Sequence, residues 1–217
     1  MTLQLVQTAG EAFLPNASQA TPSLRETLRR QTENAHRRLH EQRDFQAFRE
    51  GRVTLAAYVG LLVRLLGLHA PIEELLAPFE TSRELAWHRD PAASRAFRLK
   101  VDLRLLGYDA GSIDAVPRAD ALLPPLRTAS AALGCAWVIE GSALGGKLLA
   151  PILRETLGIG SDSGGAFLAP LPSQGERWRA CCAAIEAQGV HPWRRAEIVA
   201  AAEATFAAFA DWIEAAA

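Results

Sequence analysis

Residues 140–147 read Glu140-Gly141-Ser142-Ala143-Leu144-Gly145-Gly146-Lys147, inside an apolar run from Ala131 to Leu149 that otherwise has the composition of a helix. A glycine within a helix costs about 1 kcal/mol against alanine, so three of them within one short stretch require a reason. Successive helical residues are turned by about 100°, which puts Gly141 and Gly145 on one face and Ser142 and Gly146 on the next. Two strips of bare backbone therefore lie side by side. Either a flat ligand or another helix can press against such a surface, because small residues four apart also serve close helix packing. The choice depends on what the rest of the chain supplies.

With 217 residues and 49% hydrophobic content, the chain can bury one substantial core, and no break in composition divides it in two. The formal net charge of -1 gives no global attraction to nucleic acid or to anionic membrane. Any charged ligand must be met locally. The apolar runs are read as broken by charge before the ~18 residues of a membrane span, and no basic segment precedes an apolar one at the start. A soluble, cytoplasmic protein without nucleic-acid or membrane partners is expected. Cys135, Cys181 and Cys182 form no C-x-x-C pair and read as small, reduced core residues; nothing marks Cys135 as a catalytic thiol. Asn16-Ala17-Ser18 fits a glycosylation acceptor but has no secretion signal beside it.

Residues 1–22 lack sustained periodicity and read as a loose tail that at most packs Phe13 and Leu14, leaving 23–217 as the folded domain. Ser23 with Glu26 fits a capping box, and Leu24, Leu28, Thr32, Ala35 and Leu39 form one helical stripe. Arg25, Arg29, His36 and His40 share the flank beside it. A linker through Gly51 leads to a helix capped by Thr54, carrying Tyr58, Leu61, Leu62, Leu65 and Leu66 and interrupted at Pro71; His69 near its end reads as a core-rim residue. Further helices are expected over Ile72 to Phe79 and over Pro91 to Leu106, with Gly107 as the αL cap and Lys100, Asp102 and Arg104 on a solvated or paired face.

Pro117 to Pro125 is a connection, and Leu126 to Leu157 carries the glycines, with a kink at Pro151. A Gly/Ser/Pro-rich loop over 158–172 is followed by helices over Glu176 to Gln188 and Ala196 to Ala215. No strand pattern and no internal repeat emerges. The class is all-α, in a single domain.

A neutral imidazole on one helix and glycine-relieved backbone on another can hold the two faces of a planar metallated ring, with arginines at its edge for carboxylates. Haem has that shape and charge. His36 and His40, four apart, can alternatively grip a non-haem metal, although no Glu-x-x-His pair supplies the further ligands.

The residues also carry a family resemblance. LRRQTENAHRRL (Leu28–Leu39) resembles the proximal-helix motif of the haem oxygenases, and WVIEGSALGGK (Trp137–Lys147) the distal-helix motif of their bacterial, phytochrome-associated branch. The similarity extends from about Ser23 to Ile213 through FRLKVDLRLLG (Phe97–Gly107), ERWRACCAAIEA (Glu176–Ala187) and ATFAAFADWI (Ala204–Ile213). Either motif alone is weak; the pairing is fairly specific.

The resemblance implies haem held between the first helix and the glycine-bearing helix, with His36 as the iron ligand. Arg29 and Arg179, with Arg177 as a helper, match basic positions that meet the haem propionates. Gly141, Gly145 and Gly146 match the distal glycines, and Phe206 an apolar pocket position. The activity implied is reductive O2 activation that cleaves haem to biliverdin, CO and ferrous iron, with electrons from a donor such as a ferredoxin or flavin reductase and the bilin passing to a bacterial phytochrome. The protein's part is to crowd the distal side and to supply a water-mediated proton.

Ser142 stands where the best-known members carry an Asp and can order water without holding a negative charge; the bacterial branch also reads Glu-Gly-Ser. His40 stands where an acidic residue is frequent, which bears on the basicity of the iron ligand. The alternatives are a haem-binding carrier or sensor without turnover, or a thiaminase-like hydrolase using Cys135.

Overall fold

The computed structural model describes residues 22–215; the expected tail, with Phe13, Leu14 and Asn16-Ala17-Ser18, lies outside them. Eight α-helices follow in order: α1 (Leu24–Glu41), α2 (Arg43–Arg49), α3 (Leu55–Leu76), α4 (Arg95–Leu105), α5 (Ala110–Asp114), α6 (Ala129–Leu157), α7 (Gln174–Gln188) and α8 (Pro192–Ala215). Among the described residues there is no strand. The class and the single domain are those expected.

α1 begins as its sequence dictates. Ser23 Oγ accepts from Glu26 N, and the Glu26 carboxylate accepts from Ser23 N, each at 3.2 Å. The next two amides, Leu24 N and Arg25 N, donate to Glu186 of α7, so the helix start is fixed tertiarily as well as locally. Arg25 Nε also binds Glu186, at 3.0 Å, which removes it from the His36 flank where periodicity placed it. Leu24, Leu28, Thr32 and Leu39 are buried along the predicted stripe.

α3 runs through Pro71 to Leu76 where an interruption was expected. Pro71 has no N–H for the carbonyl of Gly67, four residues before it. Ala119 N of the following connection donates to that carbonyl at 2.9 Å. The approach is close enough to require glycine, since a Cβ on Gly67 would stand 2.1 Å from Pro117 O. α6 likewise continues past Pro151 to Leu157, ending at Gly158 in the left-handed conformation (φ 69°). α2 and α5 were missed as elements of a linker and a turn, being too short for periodicity to reveal.

α6 is the spine, packed along its first half against α8 and α7, while α1 lies on α8 and α4 on α3. α3 and α6 are each long and apolar enough to cross a membrane by length and composition, so the charge interruptions read from the sequence are weaker than expected. In this fold α3 is enclosed on most sides, with Tyr58, Leu61, Leu62, Leu68 and Ile72 fully or nearly fully buried.

The loop over 158–173 is tied to the helices beneath it. Asp102, expected on a solvated or paired face, is fully buried and accepts from Ala166 N (2.8 Å) and Phe167 N (2.7 Å). Arg98 donates to Ala166 O and Ala169 O, and Tyr58 Oη donates to Gly164 O at 2.7 Å. Burial raises the Asp102 pKa against the lowering effect of those two amides and of Arg98.

Candidate functional site

A cavity of about 780 Å³ opens between α1 and the second half of α6, within the range of roughly 300–1,000 Å³ usual for small-molecule sites. His36, Arg29, Gly141, Ser142, Gly145, Gly146 and Phe206 all line it. Seven expected site residues from three helices thus converge on one space. Arg177 and Arg179 do not line it.

The three distal glycines serve different ends. A Cβ on Gly145 would meet nothing within 4 Å, so this backbone lies open. Gly141 lies under the Trp178 ring, 3.6 Å from where its Cβ would stand, an ordinary contact. A Cβ on Gly146 would come within 2.7 Å of Leu168 O, so this glycine admits the loop rather than a ligand. Gly146 thus meets a loop where a helix or a ligand was expected, and Gly145 leaves its backbone open to the cavity.

An aromatic wall closes one side. The His36 and Phe206 rings meet edge-on with centroids 6.1 Å apart, Phe206 meets Trp137 at 6.4 Å, and Trp137 meets Trp178 at 6.3 Å. His36 and His40 both lie on the exposed flank of α1, with their Nε2 atoms 3.2 Å apart. Partial burial, followed by the neighbouring His36 and Arg49, lowers the His40 pKa from its ordinary value. Ser142 Oγ donates to Ile139 O of its own helix at 2.8 Å.

At its inner end the cavity reaches His69 and Arg95. His69 is buried, packed between Phe167 and Phe209, and its Nδ1 has no hydrogen-bond partner. Burial, then the charge of Arg95, pushes its pKa well below the ordinary value and keeps it neutral. Trp137, also a lining residue, has an unpartnered buried Nε1. Unsatisfied polar atoms are rare in protein interiors, and two of them in the wall of one cavity fit a space shaped for a ligand or water. With an open backbone face at Gly145 and an imidazole at the mouth, the residues present suit a large, flat, largely apolar group bearing a metal.

Arg177 is the correction. Expected beside the propionates, it is buried with its Nη2 2.6 Å from Glu140 Oε1 and its Nη1 donating to His88 O at 2.9 Å. Arg95 lies 3.9 Å from Glu140 Oε2, and His88 bridges Glu140 to Glu80. Burial alone would raise the pKa of Glu140, but Arg95, Arg177 and His88 outweigh it and hold the carboxylate below its usual range. A lone Glu within an apolar helix must be paired, and that was the available signal for Arg177. Arg179 is exposed on α7. Arg30, Arg49, His69, Trp137 and Trp178 line the cavity without having been singled out as site residues.

Burial pushes the Cys135 thiol up to about 12 despite its contact with Thr205, which leaves it inert as a nucleophile. Among the described residues no three His, Cys, Asp or Glu side chains converge as a metal-binding group, so His36 and His40 gain no further protein ligand of these kinds.

Known proteins similar to this chain share one family. Residues 22–215 match the family described as Heme oxygenase. A heme oxygenase of Xanthomonas campestris pv. campestris (strain 8004) is 33% identical over 169 residues, covering 76% of this chain and 93% of that protein. The fold is similar to that of the heme oxygenase from Leptospira interrogans, with a TM-score of 0.70 at 16% identity over 89% of this chain and 100% of the other. It is also similar to the NO- and CO-bound heme oxygenase from Neisseria meningitidis, with a TM-score of 0.68 at 22% identity over 90% and 92% of the two chains. From this match over nearly the whole described length, the chain belongs to the heme oxygenase family.

Proposed function

We propose that the protein cleaves haem with O2 and reducing equivalents to biliverdin, CO and ferrous iron, in the cavity between α1 and α6. The observation that carries this reading is the convergence of His36, Arg29 and the open backbone of Gly145 on one large space. A related cyanobacterial enzyme of the fold, from Synechocystis, is described in complex with heme. The bound haem supplies the O2 chemistry, and the chain supplies position, polarity and protons.

His36 offers an imidazole nitrogen as the iron ligand, and Arg29 at the mouth offers a guanidinium to a carboxylate. Gly145 lets the helix backbone approach the opposite face without a side chain between. Ser142 is constrained in an informative way. Its one hydroxyl hydrogen is committed to Ile139 O, so toward the cavity it acts only as an acceptor. It therefore orients a water, and the proton comes through that water rather than from the serine. Gly146 supports the cavity wall by admitting the Leu168 backbone, while Arg179, exposed on α7 and away from the lining, has no contact among the described residues that ties it to the site. Phe206 stacks edge-on against His36 and restricts the ring.

We further assign the electron supply to a ferredoxin or flavin reductase, the setting to the cytoplasm, and the use of the bilin to a bacterial phytochrome. Aerobic turnover of the haem-reconstituted protein with a reductant, followed by chromatography, is the test: biliverdin and CO are expected. A Soret band that persists without bilin would leave a haem carrier instead. His36→Ala is expected to abolish turnover, whereas His40→Ala retains a histidine-ligated spectrum.

A further inference from the structure

The pair His36–His40 has a geometry that haem ligation by His36 does not explain. Four residues apart on α1, the two rings lie on one face of the helix with centroids 4.4 Å apart, and both Nε2 atoms turn toward each other at 3.2 Å. Two metal–nitrogen bonds of about 2.0–2.1 Å, enclosing an angle between about 90° and 110°, hold their nitrogens about 2.8–3.4 Å apart. The observed separation falls inside that span without any movement of the backbone.

The geometry points to a two-nitrogen site for a divalent first-row transition ion at the mouth of the cavity, formed by His36 Nε2 and His40 Nε2 and available only while His36 is not on haem iron. The ion takes the place of the hydrogen the two rings share, and each ring then carries its proton on Nδ1. Imidazole nitrogens suit zinc, copper, nickel and iron alike, and the remaining positions go to water, because no third protein ligand completes the group. Glu33, one turn before His36 and lining the same mouth, favours a cation there. Arg49, whose guanidinium donates to His40 O at 3.1 Å, opposes it and keeps the site moderate in affinity. A site of this strength can receive an ion and give it up again. In turnover the ion at hand is the ferrous product, which meets His40 as it leaves His36. The competition with haem, and this last step, rest on the reading of His36 as the haem ligand; the ion site itself does not.

The test is calorimetric titration of the haem-free protein with zinc chloride. One zinc per chain is expected, with affinity falling about 10–100-fold or more in His40→Gln, since even the loss of a group behind a ligand costs that much. The variant's circular dichroism confirms folding, as His40 is exposed. Haem-loaded wild-type protein should lose this zinc site, and zinc should slow the rise of the Soret band when haem is added. Equal zinc affinity in wild type and His40→Gln overturns the ion site, whereas an undiminished site in the haem-loaded protein overturns its competition with haem and the reading of His36 as the haem ligand. A chain that binds zinc through His40 but does not degrade haem would overturn only the functional reading. A chain that makes biliverdin with zinc binding indifferent to His40 would overturn only this one.

Discussion

The two halves of α6 are one continuous helix put to opposite uses. From Ala132 to Glu140 every residue is buried, whereas beyond Glu140 only Leu153 is. The first half is packed in protein apart from Trp137 and Val138, which reach the cavity, and a Cβ on Gly134 would stand 2.3 Å from Ile198 O of α8. The second half has protein on one side, where Gly146 meets the loop at Leu168, and cavity on the other, where Gly145 meets nothing within 4 Å. Glycine in a helix thus has no single meaning: Gly134 and Gly146 permit close approach of protein backbone, whereas Gly145 leaves backbone open to the cavity.

The strongest way to break this contrast is at the hinge between the halves. Glu140→Gln keeps the volume but leaves Arg95 and Arg177 buried without their carboxylate, and a loss of about 3–5 kcal/mol in urea unfolding is expected. Gly134→Ala should follow at about 1–3 kcal/mol, because the added methyl meets backbone that cannot swing aside. The cavity side has a pH signature. His69 is held neutral in the folded chain, while an unfolded His titrates near ~6.5. Its pKa is lowered on folding, so its contribution is intact above that value and is lost as pH falls, by about 1.4 kcal/mol per pH unit below it. Comparing urea unfolding at successive pH values, His69→Leu should flatten that part of the slope. Gly145→Ala is the smallest change and of opposite sign: a gain of up to ~1 kcal/mol in stability from helix propensity, with weaker haem binding in a Soret titration. Destabilisation by this substitution would contradict the open face.

The comparison also shows what one-dimensional reading reaches. Periodicity placed the long helices, and local caps at Ser23 and Thr54 were readable because their donors and acceptors lie three residues apart. His36, Arg29 and the glycines line one cavity. What failed were residues whose environment is set by distant chain. Pro71 looks like a helix end until Ala119 supplies the missing donor. Asp102 looks solvated until the amides of Ala166 and Phe167 fold onto it. Arg177 looks like an edge cation until Glu140 claims it. In each case the partner lies 37 to 65 residues away, or across a connection with no pattern of its own, and helical periodicity carries no information at that range.

The anchoring of the 158–173 loop has a kinetic consequence. Ala166 N and Phe167 N lie outside any helix, yet both are held by a buried carboxylate, while Phe167 and Leu168 form cavity wall. Their amide hydrogens should exchange with solvent on the timescale of the α4 core rather than that of a surface loop. A wall that does not breathe leaves traffic to the other rim, where α1 and α2 present His36, His40 and Arg49. Under the proposed function, haem and its product are expected to pass a row of imidazole and guanidinium there, so that substitutions on that rim change the rate of product departure.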